Sequence, residues 1–316
     1  MAKIGVVGVG LIGRAWANVF ARAGHDVALW DANPEALNAA PGLVAQSLRD
    51  LQQHGRVNDP DAAAARVRVA TSLADAVHDT ALVQENGPET LDAKVELFAA
   101  MDAAAGPETI LASSSSAIVA SRFTEQLQGR ARCLIAHPVN PPHVVPIVEL
   151  CGAPWTDPDA IARSRALYDA VGQVAIEVKK EVDGFILNRM QAVLLAEAFR
   201  LISEGYVTAA DLDKTIKDGL GRRWAFMGPI ETIELNAPGG IADYSARYGE
   251  TLYSLAKNEV TPELFSEATT GAVAESYGAP PTHEAVQGKS VWRDERLGAL
   301  DAHLRAAKPY RQDEDG

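Results

Sequence analysis

Apolar residues recur along this chain in two rhythms. Up to about residue 180 they come as short, β-branched runs separated by stretches of helical period; beyond it the strand-like runs stop and the period is helical throughout. The first run is residues 3–7, followed by an amphipathic stretch over 15–23 that Gly24 closes as a helix stop. Further runs fall at 26–30, 67–70, 81–85, 109–112, 132–136, 147–150 and 174–178. Helices are predicted over 89–104 and 158–171, the second opened by Asp157 as a cap and Pro158 at the first helical position. Such alternation predicts an α/β fold with a mostly parallel, doubly wound sheet over residues 1–182. A smaller all-α domain is expected over 183–316, with the boundary near 179–183. It opens with a long helix over 184–203, stopped by Gly205. Thr208 with Asp211 then forms a capping box, and Thr261-Pro262 starts another helix. The closing QDEDG, residues 312–316, is charged and expected to fray.

The first strand runs straight into Gly8-Val9-Gly10-Leu11-Ile12-Gly13, a GxGxxG. Each glycine has its own physical reason: Gly8 for the tight turn, Gly10 for close approach to a pyrophosphate, Gly13 for packing of helix on strand. The helix start, at Leu11 and Ile12, offers free N–H groups and the positive end of a dipole to phosphates. A lone GxGxxG is a weak signal. This one follows a strand, opens a helix and precedes an acidic strand end, Asp31, by 18 positions. Asp31 can accept both ribose hydroxyls of NAD and would repel the 2′-phosphate of NADP. The motif therefore predicts a Rossmann-type domain that binds NAD.

The run at 132–136 leads into AHPVNPPHVVPIVE. Prolines at 138, 141 and 142 are expected to stop a central strand there and to hold His137 on a stiff loop at its end. A second run then delivers Glu149. Strand ends are where open α/β sheets place their chemistry, and the polar ends of ALVQE and of the SSSS segment, residues 113–116, are expected to border the cofactor as well. His143, in the same loop as His137, is a rival base.

Composition narrows the class. The 316 residues are 47% hydrophobic, enough for two cores, and carry a formal charge of −13 with no basic stripe, which excludes a nucleic-acid binder of the usual kind. Cys133 and Cys151 stand outside any CxxC, so neither a disulfide scaffold nor a metal site is expected. No apolar run reaches the ~20 residues of a membrane helix and no signal layout opens the chain; a cytoplasmic protein without a membrane partner is expected.

GVGLIG, the serine-rich strand end, AHPVNP, IVEL and GFILNR occur in this order, and together they resemble the 3-hydroxyacyl-CoA dehydrogenase family. QENGPE, AHPVNPP, KKEVDGFILNRMQ and GLGRRWAFMGPIETIELNAPGG are most similar to its lambda-crystallin/L-gulonate 3-dehydrogenase branch. The resemblance spans roughly residues 3–295. It implies NAD-dependent oxidation of a secondary alcohol, with His137 as base and Glu149 as its partner. It gives Ser116, Asn140 and Asn188 contacts to the substrate or to the histidine's surroundings. It gives Glu89 and Lys94 contacts to the cofactor, where spacing alone would equally allow an i,i+5 pair on a solvated helix face. It also implies a homodimer formed through the second domain.

Two departures bear on the substrate. The acyl-CoA enzymes carry a longer, lysine-rich excursion after the second strand, whereas residues 33–67 here hold only Arg49, Arg56 and Arg66, among aspartates. That is a poor landing site for the phosphates of CoA. The second departure is a segment read as a glycine-flanked loop, GLGRRWAFMGP, which carries Arg223 beside Trp224; the resemblance aligns Arg223 with an arginine of the gulonate branch, a cation suited to a substrate carboxylate. The expectation is oxidation of the 3-hydroxyl of a small hydroxy acid, L-gulonate first. The alternatives are a 3-hydroxyacyl-CoA or carnitine dehydrogenase, and a crystallin-like structural protein.

Overall fold

A computed structural model describes residues 1–257, 260–276, 279 and 281–307. The QDEDG tail lies outside them. Met1–Asn188, joined by the chain from Lys289 onward, forms one compact unit; Arg189–Gly288 forms the other. The observed division therefore differs from the expected boundary at both ends of the helical domain: the first helix of that domain begins inside the first unit, and the last helix ends inside it.

The first unit is built on eight strands: β1 (Lys3–Val7), β2 (Asp26–Trp30), β3 (Val67–Val69), β4 (Leu82–Glu85), β5 (Ile110–Ser113), β6 (Cys133–Pro138), β7 (Ile147–Gly152) and β8 (Val174–Glu177). They form one sheet in the order β3-β2-β1-β4-β5-β6-β7-β8, parallel except where β6 meets β7. This is the predicted doubly wound sheet, with one antiparallel pair at the place where the histidine and glutamate lie. The central strands are buried on both faces, which is why they read as continuous apolar runs without alternation. One side of the core centres on Trp16, Phe20 and Tyr168, whose rings lie within 6.2 Å of one another.

Several helices differ from or extend the sequence reading. Helix α1 spans Leu11–Arg22 and starts four residues earlier than the periodicity indicates, because the glycine loop feeds directly into it. Helix α2, Pro34–Gln52, has no counterpart among the expected elements. Its Asn33 cap accepts from the N–H groups of Glu35 and Ala36, and Ala40, Val44, Leu48 and Leu51 form its buried stripe. Helix α3 spans Leu91–Ala104. Helix α4, Pro158–Ala170, is capped by Asp157 as predicted, and helix α5 is Phe185–Ser203. The second unit continues with helices Ala209–Lys214, Gly221–Trp224, Pro229–Glu234, Gly240–Ala256 and Glu267–Ser276. Thr208 accepts from Asp211 N, as the capping box requires. The helix expected after Thr261 is a single 3-10 turn, Pro262–Phe265. The last helix, α6 (His283–Ala306), brings Asp301 to Arg56, a nearly buried ion pair within the first unit.

One local expectation fails. Pro138 is part of β6, opposite Val148. The missing N–H is tolerated because β5 pairs β6 only as far as Ile135, so beyond it β6 has a neighbour on one side alone.

Candidate active site

The antiparallel pair fixes the first geometry. His137 lies directly opposite Glu149 in the β6–β7 ladder, so the two side chains emerge on the same face at the shortest cross-strand distance. The 12 positions that separate them in the chain span this ladder and its turn. Nδ1 of His137 meets Oε2 of Glu149 at 2.8 Å, with exposures of 4% and 1%. The other carboxylate oxygen, Oε1, accepts from the backbone N–H groups of Ile186 (3.0 Å) and Leu187 (3.1 Å), the first turn of α5. A buried carboxylate is thus fully used by one imidazole and one helix start. Holding Nδ1 as the N–H leaves the Nε2 lone pair free, the state a general base needs.

Gly184 (φ +76°) and Phe185 (φ +49°) turn the chain into α5. Phe185 is a non-glycine residue in the left-handed region, a cost of roughly 1–2 kcal/mol. Its ring is fully buried and lies 5.3 Å from that of His137. The strained pair therefore both aims the helix N–H groups at Glu149 and walls the imidazole. Sequence reasoning finds Asn188 in GFILNR but misses the roles of Phe185, Ile186 and Leu187, at which only the glycine hints.

The rival base is removed by its surroundings. Burial, and then the charges of Arg22, Arg56 and Arg293, push His143 down to about 4. It stays neutral near pH 7 and holds a proton poorly. Burial pushes the Cys133 and Cys151 thiols up to about 12, which leaves neither as a nucleophile.

Ser116 lies past the end of β5 and is exposed. Its N–H donates to Glu89 Oε1 at 2.9 Å, and its carbonyl accepts from Asn188 Nδ2 at 3.2 Å. Glu89 also takes Ser115 Oγ (2.6 Å) and Ala117 N (3.0 Å). Burial works to raise the Glu89 carboxyl, but these bonds and the Lys94 charge outweigh it and hold it below the ordinary range. The Glu89–Lys94 pair that spacing allows does form, at 3.7 Å, but on the lysine side it is buried and does not lie on a solvated helix face. Lys94 is 1% exposed and its ammonium turns inward onto Glu85, 2.8 Å from both oxygens. Asn140 is exposed at the mouth of the loop and makes no hydrogen bond among the described residues. Arg223, in the other unit, is exposed and in no ion pair among the described residues. The segment read as a loop around it is helical: a π-helical turn, Thr215–Leu220, runs into Gly221–Trp224. A Cβ at Gly221 would lie 2.9 Å from the carbonyl of Ile216, so the wide turn needs glycine there.

The glycine loop fits a dinucleotide. Gly8 has φ +86°, and a Cβ there would meet Asn86 O at 2.6 Å. A Cβ on Gly13 would overlap the carbonyl of Gly8. Around Gly10, by contrast, a Cβ would meet nothing within 4 Å, which leaves open space in front of the start of α1. Gly10 caps that helix without a side chain, so the N–H groups of Leu11, Ile12 and Gly13 face an anion unobstructed. A cleft of about 670 Å³ adjoins the loop, lined by Gly8, Gly10, Asp31, Leu73, Asn86 and Leu97. Asp31 is held there by the N–H groups of Val9 (2.7 Å) and Asn33 (2.8 Å).

A Rossmann sheet with an anion-ready glycine loop, and a carboxylate-oriented histidine at a strand end, defines an NAD-dependent oxidoreductase that acts on an alcohol carbon. Residues 3–182 match the NAD-binding domain of 3-hydroxyacyl-CoA dehydrogenase, and residues 184–276 match its C-terminal domain. The chain belongs to that family and is an NAD-dependent dehydrogenase of 3-hydroxy acids or 3-hydroxyacyl compounds. It is similar to lambda-crystallin of Oryctolagus cuniculus, with 39% identity over 96% of this chain and 97% of that one. It is also similar to L-carnitine dehydrogenase of Pseudomonas aeruginosa, at 34% identity over 96% and 92% of the two chains. Among solved structures it resembles 5-formyl-3-hydroxy-2-methylpyridine 4-carboxylic acid 5-dehydrogenase, an NAD+-dependent dismutase. There the TM-score is 0.81 at 26% identity, covering 98% of this chain and all of that one. Among the described residues no helix is long and apolar enough to cross a membrane, and no group of three His, Cys, Asp or Glu side chains could hold a metal ion.

Proposed function

We propose that the chain oxidises the 3-hydroxyl of a small, free hydroxy acid, L-gulonate to 3-dehydro-L-gulonate, as a cytoplasmic homodimer. The observation that carries the choice of a free acid over a CoA thioester is the state of the cations between β2 and β3. Arg49 pairs with Asp61, Arg56 with Asp301 and Arg66 with Asp26. Arg56 is nearly buried against its partner, and the more open Arg49 and Arg66 each stand beside an aspartate, so a polyphosphate would meet a carboxylate at every one of the three. The likeness to lambda-crystallin favours gulonate over carnitine.

NAD bound along the glycine loop supplies the hydride acceptor. The residues do the rest. Nε2 of His137 takes the alcohol proton, and Glu149 stabilises the imidazolium that results. Ser116, Asn140 and Asn188 orient the hydroxyl and its neighbours. Arg223, in no ion pair among the described residues, is proposed to meet the substrate carboxylate, since a buried carboxylate needs a cation. The test is NADH formation with gulonate, 3-hydroxybutyrate, carnitine and 3-hydroxybutyryl-CoA. Gulonate should give the highest kcat/KM; preference for the thioester or for carnitine would overturn the assignment, and no turnover of any would favour a structural role. In the same assay Arg223→Met should raise the KM of the acid roughly 10- to 150-fold, the worth of a charge-assisted pair, and spare a neutral amide analogue.

Asp31 supports NAD over NADP, with Ala32, Asn33 and Pro34 following it and no arginine to take a 2′-phosphate. Asp31→Ala should narrow the preference by weakening NAD; equal kcat/KM of the wild type with both cofactors would contradict the assignment of Asp31 to the ribose.

Exposed apolar side chains on the helices beyond Asp183 support the homodimer. Met190 and Val193 on α5 are 62% and 66% exposed, and Leu252, Tyr253 and Leu255 on Gly240–Ala256 are 44–72% exposed. A monomer leaves few such groups together. An interface of over ~2,000 Å² is expected, and light scattering at micromolar concentration should give twice the monomer mass.

A further inference from the structure

Behind the site, at the buried end of β4, lies an ion pair that the chemistry just described does not touch. Glu85 is fully buried and Lys94, on α3, is 1% exposed. Oε1 of Glu85 accepts from Lys94 Nζ (2.8 Å) and Gly87 N (2.5 Å); Oε2 accepts from Lys94 Nζ (2.8 Å) and Ser113 Oγ (2.6 Å). Strand register sets this up, since Glu85 lies beside Ser113 in the β4–β5 ladder. Every lone-pair direction of the carboxylate is used. A pair so deeply desolvated contributes little net stability compared with apolar side chains of the same volume. Its presence at a strand end beside the cofactor cleft calls for another role.

The geometry supplies one. Lys94 Nζ is also 3.7 Å from Oε2 of Glu89, so one ammonium stands between two carboxylates. The second of these is the organiser of the turn after β5: a single oxygen of Glu89 gathers Ser115 Oγ, Ser116 N and Ala117 N. That turn presents the Ser116 hydroxyl and anchors Asn188 through the Ser116 carbonyl. Glu89 reaches solvent, with 41% of its side chain exposed, while Glu85 does not.

We infer that Glu85 is a positioning residue of the dehydrogenase: by pinning the Lys94 ammonium from behind, it fixes Glu89, and through Glu89 the Ser115–Ser116–Ala117 turn at the reacting end of the site. Lysine is a compact charge on a flexible four-carbon stem. Without Glu85 its cation has only Glu89 to neutralise it, and closing that pair draws Glu89 off the turn. The inference rests on the dehydrogenase reading but not on the identity of the acid.

The test compares Glu85→Gln, Lys94→Met and the double variant, reading melting temperature, NADH affinity by fluorescence, and turnover of whichever acid the wild type oxidises. Glu85→Gln should lower all three, because it leaves a buried ammonium with Glu89 alone to compensate it. The double variant removes that charge and should recover the wild-type melting temperature. It should still bind NADH about tenfold more weakly, because Glu89, which the resemblance gives a contact to the cofactor, is no longer held in place. Its kcat should stay about 10²-fold low, the usual effect of a misplacement near 1 Å. Glu89→Gln, nearer solvent and without a buried charge to strand, should reproduce the NADH and kcat losses at full melting temperature. Combined with Glu85→Gln, its losses should not add, since both act through one turn.

A double variant with wild-type NADH affinity and turnover would make the ion pair structural only and overturn the inference. Additive losses for Glu85→Gln and Glu89→Gln would do the same. NADH binding needs no substrate, so that arm decides even if every acid in the panel fails and the gulonate assignment falls.

Discussion

His137→Gln should lower kcat by roughly 10²–10⁴-fold, the usual worth of a positioned general base, and leave NADH affinity unchanged. The fold should survive, for reasons visible around the side chain. Glu149 keeps both N–H donors from the start of α5, and a glutamine amide can still donate to its remaining oxygen. Phe185 loses a ring neighbour but stays inside the core formed with Ile135 and Cys151. The glycine loop and Asp31, proposed to hold the pyrophosphate and ribose of NADH, belong to other elements, the β1–α1 turn and the end of β2. The measurement is steady-state turnover beside a fluorescence titration and a melting curve. A variant that kept most of its turnover would show that the alcohol proton leaves by another route, and His143 could not supply it, because it is held neutral to about pH 4.

What the sequence discloses and what it conceals follow one physical division. Features written in local chain order are legible: GxGxxG between a strand and a helix, Asp31 at the next strand end, and Asp157-Pro158 opening α4. Each needs only its neighbours to form. Helix α2 is of the same kind and carries the same signature, an Asn33 cap with Pro34 at the first turn. It is obscured by Pro41 within the helix and by alanine-rich composition, which blunts the contrast between faces. The pairing of His137 with Glu149 is legible through resemblance, yet its cause is the antiparallel ladder, and the prolines suggest a strand break at Pro138 where the chain instead continues into that ladder. The hidden part is long-range. No local pattern says that Glu85 will face Lys94, that Glu89 will collect three donors from the turn after β5, or that Glu149 will receive the first N–H groups of a helix 37 residues later. Lys94 is the clearest instance. The resemblance reads it as a cofactor contact and spacing as half of an i,i+5 pair with Glu89 on a solvated face; the register of β4 against β5, which sets Glu85 beside Ser113, is what gives its ammonium a buried partner.

The second large effect is expected from Glu149→Gln, and it comes from counting hydrogen bonds. The carboxylate has acceptors on both oxygens and uses them on opposite sides: Oε1 takes two backbone N–H groups of α5, and Oε2 faces Nδ1 of His137 at 2.8 Å. Glutamine is the same size but has one acceptor oxygen and one donor NH₂. Two orientations compete. Turning the NH₂ toward α5 would set donor against donor and strand two buried N–H groups, at about 1–3 kcal/mol each. The amide oxygen therefore stays with the helix, and the NH₂ points at His137. Nδ1 must then accept, which moves the imidazole proton to Nε2, the atom that has to receive the proton of the alcohol. The base is present, well packed and in the wrong tautomer. In serine hydrolase triads the corresponding change costs about 10⁴ in kcat with geometry intact, and a loss of roughly 10²–10⁴-fold is expected here, with NADH affinity and melting temperature near wild type. Nitrogen-15 chemical shifts of the His137 ring should report Nδ1–H in the wild type and Nε2–H in the variant. If turnover fell but the tautomer did not change, Glu149 would act by stabilising the imidazolium alone; if neither changed, the histidine would not depend on this carboxylate at all.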